Sequence, residues 1–107
     1  MNTEVIKITF DGLQPSDALK EYAVDKLMKY DNFLVNATSV NVVMVENEHA
    51  KGVDKDFSVD ITVHIPGKVM HVEEVGGDMY AIIDKATDLI ARRLRKREEK
   101  NITKKRS

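Results

Sequence analysis

Cysteine is absent from this 107-residue chain. Without a thiol there is no disulfide framework, no cysteine nucleophile and no Cys-ligated zinc or iron–sulfur centre, and a reducing compartment is the natural setting. No apolar run approaches the roughly 20 residues that cross a bilayer. The N-terminal segment carries Glu4, Asp11 and Asp17 and lacks the apolar stretch of a secretory signal. A cytoplasmic location with no membrane partner is therefore expected. Serine is scarce, and Ser16, Ser39, Ser58 and Ser107 have no nucleophile-elbow context. Gly76-Gly77 lacks the spacing of a dinucleotide fingerprint and the following Lys-Ser/Thr of a phosphate loop, so it reads as a turn.

What is present suits one small domain. The composition is 42% hydrophobic and 33% charged, and a chain of this size must serve all its elements from a single core. The formal net charge of −1 hides an asymmetry. Residues 1–91 hold 8 Lys+Arg against 16 Asp+Glu, whereas residues 92–107 hold 9 against 2. Such a split points either to a nucleic-acid or acidic surface contacted by the basic end, or to a solvated tail that aids solubility.

Hydrophobic periodicity gives the element order. Ile6, Ile8 and Phe10 alternate with Lys7 and Thr9, predicting a strand over 3–10. Ser16 is a good N-cap, and Leu19, Ala23, Leu27 and Tyr30 recur at helical spacing, predicting a helix from Asp17 to about Asp31. A valine-rich strand follows over 39–48, then a charged connection over 47–56. Phe57, Val59, Ile61, Val63 and Ile65 alternate strictly with polar residues. Pro66-Gly67 then meets the needs of a type II turn, so Lys68 to Val75 should return antiparallel. Asp78 can cap a long second helix with an apolar stripe of Met79, Ile82, Ile83, Ala86, Leu89, Ile90 and Leu94. The expected fold class is α+β, in the order β-α-β-β-β-α. A right-handed crossover sets the first two strands parallel in a four-stranded mixed sheet, with two helices packed on one face. Residues 1–100 form the domain, and 101–107, lacking an apolar stripe, are expected to form a flexible basic tail. The acidic residues are expected on the far side of the sheet and in the 47–56 connection.

Candidate chemistry is thin. His64 and His71 lie on neighbouring strands, where they could pair, and a metal there would want a third ligand from Asp60, Glu73 or Asp78. The alternative is two surface histidines, and no metal, cofactor or small-molecule substrate is expected. A hydrolase built on those histidines is the weakest reading, and the protein is expected not to be an enzyme.

Two modes of RNA binding can be compared. A sheet-face reader stacks bases on exposed aromatics of its central strands, but Ser58, Asp60 and Thr62 hold those places. A helix-face binder needs cations that straddle phosphates. At 100° per residue Lys85, Arg92 and Lys96 fall within about 40° of one another, and Lys20, Lys26 and Lys29 on the first helix can extend the patch. Arg93, Arg95 and Arg97 join the candidate RNA-binding set on charge alone.

The run Gly77-Asp78-Met79-Tyr80-Ala81-Ile82-Ile83-Asp84, with Leu89-Ile90-Ala91-Arg92-Arg93-Leu94, resembles the signature of the ribosome hibernation-promoting factor and ribosome-associated inhibitor family. Ser16 to Tyr22 and Lys26 to Tyr30 are similar to that family's first helix. The resemblance implies a fold akin to double-stranded-RNA-binding domains. It also implies a non-enzymatic factor that docks on the small ribosomal subunit over the decoding region, contacts rRNA through basic helix faces and blocks mRNA and tRNA binding in idle or stressed cells. The residues carried over are Lys20, Lys26, Lys29, Arg92 and Lys96. Tyr80 is expected to pack the helix start and Asp84 to fix local hydrogen bonds. The length resembles the family's short form, taken to be a monomer when free. The alternative function is a protein-interaction module using the sheet face or the 47–56 connection.

Overall fold

The three-dimensional structure is a computed structural model. It describes the backbone of residues 3–48 and 55–106 and the side chains of residues 3–47 and 56–96. After a 3-10 turn (Thr3–Val5) come β1 (Ile6–Asp11), α1 (Asp17–Met28), α2 (Asp31–Leu34), β2 (Ser39–Glu48), β3 (Lys55–Ile65), β4 (Lys68–Gly76) and α3 (Met79–Arg106). The strands form one sheet in the order β1-β2-β3-β4. The β1–β2 pair is parallel and the other two are antiparallel, giving the mixed α+β sheet that the periodicity predicts.

Alternation decides which face is covered. Val40, Val42 and Met44 of β2 and Val59, Ile61 and Val63 of β3 share one face and are fully buried. On that face they meet Ala23 and Leu27 of α1, Leu34 of α2, and Met79, Ile82, Ile83, Ala86, Ile90 and Leu94 of α3 in a single core. Burying side chains of this size contributes roughly 1.5–3 kcal/mol each, which is why the helices cannot leave the sheet. Among the described residues strand β1 pairs on one side only, and its inward residues Ile6, Ile8 and Phe10 remain half-buried.

The turn chemistry follows the sequence. Gly67 takes φ +79°, a conformation glycine adopts without the steric cost other residues meet, and Ile65 pairs with Lys68 across the hairpin. Ser16 accepts a hydrogen bond from the Leu19 amide at 3.2 Å. The Asp78 carboxylate accepts one from the Tyr80 amide at 3.0 Å. Gly76 is required for a different reason: a Cβ there would lie 2.7 Å from Cγ2 of Ile82. The last residue of β4 thus passes directly beneath the first turn of α3.

Several expectations change. Thr3–Val5 coil into a 3-10 turn, so β1 begins at Ile6. The first helix stops at Met28, because Tyr30 leaves helical backbone (φ −105°, ψ 25°). A second short helix then carries Leu34 into the core. Helix α3 continues past Asn101 to Arg106; its last residues contain no glycine or proline to stop it. The connection expected over 47–56 shortens, since residues 47, 48, 55 and 56 belong to strands and 49–54 lie outside the described residues. Among the described residues no helix is long and apolar enough to cross a membrane.

The open face of the sheet, away from the helices, is polar but not uniformly so. Val69 and Val75 are more than half exposed there, beside Asp60, Thr62, His64, His71 and Glu73. The register sets His71 opposite Thr62 and His64 opposite Val69, so the two histidines are not cross-strand partners. His71 lies instead with its Nε2 3.5 Å from Asp60 Oδ1. Glu73 faces Asp60, and a hydrogen bond and repulsion from that second carboxylate raise its pKa above the ordinary glutamate value. Among the described residues no group of three His, Asp or Glu side chains could hold a metal ion.

Candidate nucleic-acid interface

Helices α1 and α3 lie side by side over the sheet, joined by a ladder of polar contacts that begins with two tyrosines of α1 and its C-terminal turn. Tyr22 OH donates to Asp84 Oδ1 at 2.6 Å, and Tyr30 OH donates to Asp88 Oδ1. Lys26 Nζ, one turn from each tyrosine, lies 3.2 Å from the same Asp84 oxygen. The Tyr80 ring meets the Tyr22 ring edge-on, with centroids 4.9 Å apart and planes at 82°, a favoured aromatic geometry. Tyr80 remains 43% exposed, so it covers Tyr22 rather than filling the core. Asp84 is therefore a tie between helices 62 residues apart, not a local hydrogen-bonding residue.

The electrostatics agree with the geometry. The Tyr22 hydroxyl and the Lys26 ammonium hold the Asp84 carboxyl below the usual aspartate value. In return the aspartates raise the pKa of Tyr22, Tyr30 and Lys26. A depressed carboxylate stabilises the fold above its unfolded value, about 3.9, and the contribution disappears as pH falls through the lower folded value. Asp84→Asn keeps an acceptor for Tyr22 but removes the charge. It should melt at a lower temperature than the native chain at pH 7, and the gap should close as the pH drops below about 4. Thermal melts followed by circular dichroism check this; a gap unchanged down to pH 2 would place the stabilising charge elsewhere.

The structure sorts the candidate cations into groups. Lys85, Arg92 and Lys96 are exposed and share the outward stripe of α3. Arg95 sits towards α2, and with Arg92 it lines a cleft completed by Tyr30, Phe33, Asp88 and Ala91. Lys29 is exposed, and its charge is felt at Asp84, so it belongs to the same inter-helix surface. Lys26 reaches that surface but is engaged by Asp84, with its side chain 22% exposed.

Two candidates point elsewhere. Arg93 turns to the free edge of β4, where its guanidinium donates to the His71 carbonyl at 2.9 Å; it covers a sheet edge, a common protection against strand pairing. Lys20 lies about 120° around α1 from Lys26, beside Ile6, Asp17, Glu21 and Val24 along β1. Arg97 is on helical backbone, and its side chain lies outside those described.

The acidic residues also divide, and not only to the far side of the sheet. Asp60 and Glu73 are on the open face, Asp17, Glu21 and Asp25 line the β1 side of α1, and Asp84 and Asp88 lie between the helices, where the tyrosines and Lys26 occupy them. On this side the exposed cations are Lys29, Lys85, Arg92 and Lys96, with Arg95 in the cleft beside α2, a set of charges of the kind that neutralises phosphates. Sequence reasoning found its cations by charge and missed the tyrosine–aspartate ladder that sets the spacing of the helices.

Comparison with known proteins adds to this geometry. The model of a family described as "Sigma 54 modulation protein / S30EA ribosomal protein" matches residues 6–102. A ribosome hibernation promoting factor of Escherichia coli K12 is 30% identical over 95 residues, covering 89% of this chain and 94% of the relative. A ribosome hibernation promotion factor of Picosynechococcus is 36% identical over 96 residues, and one of Deinococcus radiodurans 27% over 93. The chain spans about half the length of these last two relatives, 49% and 48%. Among solved structures, a ribosomal subunit interface protein from Coxiella burnetii superposes with TM-score 0.76 at 23% identity, over 88% of this chain and 97% of that one. The N-terminal domain of Thermus thermophilus Protein Y gives 0.65 at 26%, over 85% and 96%.

Proposed function

The chain belongs to the Sigma 54 modulation protein / S30EA ribosomal protein family, and from that premise we propose that it is a ribosome hibernation factor. It binds the small ribosomal subunit through rRNA phosphates, using the paired basic faces of α1 and α3. Seated near the decoding centre, it excludes mRNA and tRNA by occupying their path, and so silences idle ribosomes in the cytoplasm without catalysing a reaction. The observation that supports this best is the outward stripe of Lys85, Arg92 and Lys96, held beside Lys29 by the Tyr22–Asp84 and Tyr30–Asp88 bonds.

Binding by phosphate neutralisation releases counterions, so log affinity should fall linearly with log salt, by about 0.7–0.9 per phosphate contacted. Co-sedimentation of the purified chain with small subunits across a salt series tests this. A steep decline is expected, with about five contacts giving a slope near −4. Affinity independent of salt, or no binding at low salt, would overturn the proposal.

A further inference from the structure

Where the break at Tyr30 turns the chain into α2, the rings of Tyr30 and Phe33 come to stand against α3. They form one side of a cleft of about 330 Å³ whose other side is Asp88, Ala91, Arg92 and Arg95. Those four recur at i, i+3, i+4 and i+7, so they share one stripe of the helix. Both rings are half-buried, Ala91 is only 5% exposed, and Asp88 and the two arginines are exposed. One hydrogen bond fixes the two sides to each other: the Tyr30 hydroxyl donates to Asp88 Oδ1. Among the described residues Asp88 Oδ2 accepts no hydrogen bond and Arg92 forms no ion pair.

The walls make three separate demands of an occupant. Arg92 attracts an anion, the half-buried rings offer a flat apolar surface, and Asp88 Oδ2 accepts a proton donor. Inorganic phosphate meets only the first demand. A paired RNA duplex offers phosphates too, but its base faces are stacked on one another and the N–H groups of its pairing edges are taken. A phosphotyrosine side chain brings a ring and an anion but no N–H on the ring. A nucleotide outside a duplex supplies all three: a phosphate, a base plane that stacks on aromatic side chains, and, on every base, at least one pairing-edge N–H for the carboxylate. At about 330 Å³ the cleft lies at the small end of ligand sites, roughly 300–1000 Å³, which suits one nucleotide and not a helix.

We propose that the cleft of Tyr30, Phe33, Asp88 and Arg92 is a site for a single unpaired nucleotide of the RNA that the helix surface contacts. Resting on the assignment of that surface to rRNA, the site adds a second kind of contact to it. The outward cations of α3 meet phosphates of any sequence, whereas the cleft reads whether a base is out of its helix. Because every base has a stacking face and a pairing-edge N–H, the preference is for the unpaired state and not for one base.

Two short RNA duplexes separate these contacts when added to the full chain labelled with ¹⁵N: one fully paired, the other identical but for a single 2-aminopurine nucleotide bulged from one strand. The bulged RNA should bind about tenfold more tightly, as one stacked base warrants, and its 2-aminopurine fluorescence should change on binding. The amide shifts it adds to those of the paired RNA should fall within residues 30–34 and 88–95. Phe33→Leu, which keeps apolar bulk against the core, should remove most of that preference and the fluorescence change while leaving affinity for the paired duplex unaltered. Equal affinity for the two duplexes would overturn the site yet leave the phosphate-binding function standing, because salt-dependent co-sedimentation with small subunits is measured apart. If neither duplex nor the small subunit binds, both fall together. A preference kept in full by Phe33→Leu, or added shifts confined to other surfaces, would also overturn the site. So would a phosphotyrosine peptide that displaces the bulged RNA as well as adenosine monophosphate does, since the cleft would then take any aryl phosphate.

Discussion

Reversing three charges on α3, Lys85→Glu, Arg92→Glu and Lys96→Glu together, should lower affinity for the small subunit by on the order of a hundredfold at about 0.1 M salt and flatten the salt dependence by two to three units of slope. All three side chains are exposed and none takes part in the ties between helices, so melting should change little, within about 0.5 kcal/mol per site. Arg93→Gln is the informative control. Its guanidinium is committed to the His71 carbonyl on the β4 edge, and the same sedimentation series should show a slope changed by well under one unit for it. If the triple variant binds with an unaltered slope, the phosphate-contacting face is not the outward stripe of α3.

The second large effect concerns folding. Gly76→Ala places a methyl group 2.7 Å from Cγ2 of Ile82, and Ile82 is a buried (2% exposed), β-branched side chain with restricted rotamers. Overpacking of this kind costs about 1–3 kcal/mol, enough to lower the melting temperature of a domain this size by several degrees. The cause can be isolated by a second substitution. Ile82→Ala alone should cost about 2–5 kcal/mol as a cavity, but in that background Gly76→Ala should add close to nothing, because the clashing methyl is gone. Chemical denaturation of the four chains gives the coupling energy directly; additive costs would mean that the strand-to-helix approach at Gly76 tolerates a side chain.

The sequence made the regular parts of this fold readable because alternation and helical spacing report burial one element at a time. The β3 pattern from Phe57 to Ile65, the apolar stripe of α3 and the turn at Pro66-Gly67 are all found as expected. The break at Tyr30 was hidden because Leu27 and Leu34 are seven residues apart, so helical spacing runs through it unbroken. Proline and glycine, the usual punctuation, are absent there. The interface was legible only as charge. Lys20, Lys26 and Lys29 look equivalent as three lysines on one helix, yet one borders β1, one is engaged by Asp84 and one is exposed towards α3. Their separation depends on how α1 is rotated over the sheet, which Tyr22 and Tyr30 decide through partners 62 and 58 residues away. No local pattern carries that information.

The parallel pairing of β1 with β2 also sets an order of events in folding. Strands β2, β3 and β4 form a meander of antiparallel neighbours, and the β3–β4 hairpin closes across a two-residue loop. By contrast, Ile6 pairs with Val40 across a connection that contains α1 and α2, a longer closure that costs more chain entropy before it gains contacts. Strand β1 is thus expected to dock last and open first, and its amides should be the earliest of the sheet to exchange with deuterium in the native state. The fold therefore has a late-closing seam along its first strand, whose inner residues Ile6, Ile8 and Phe10 are only half-buried.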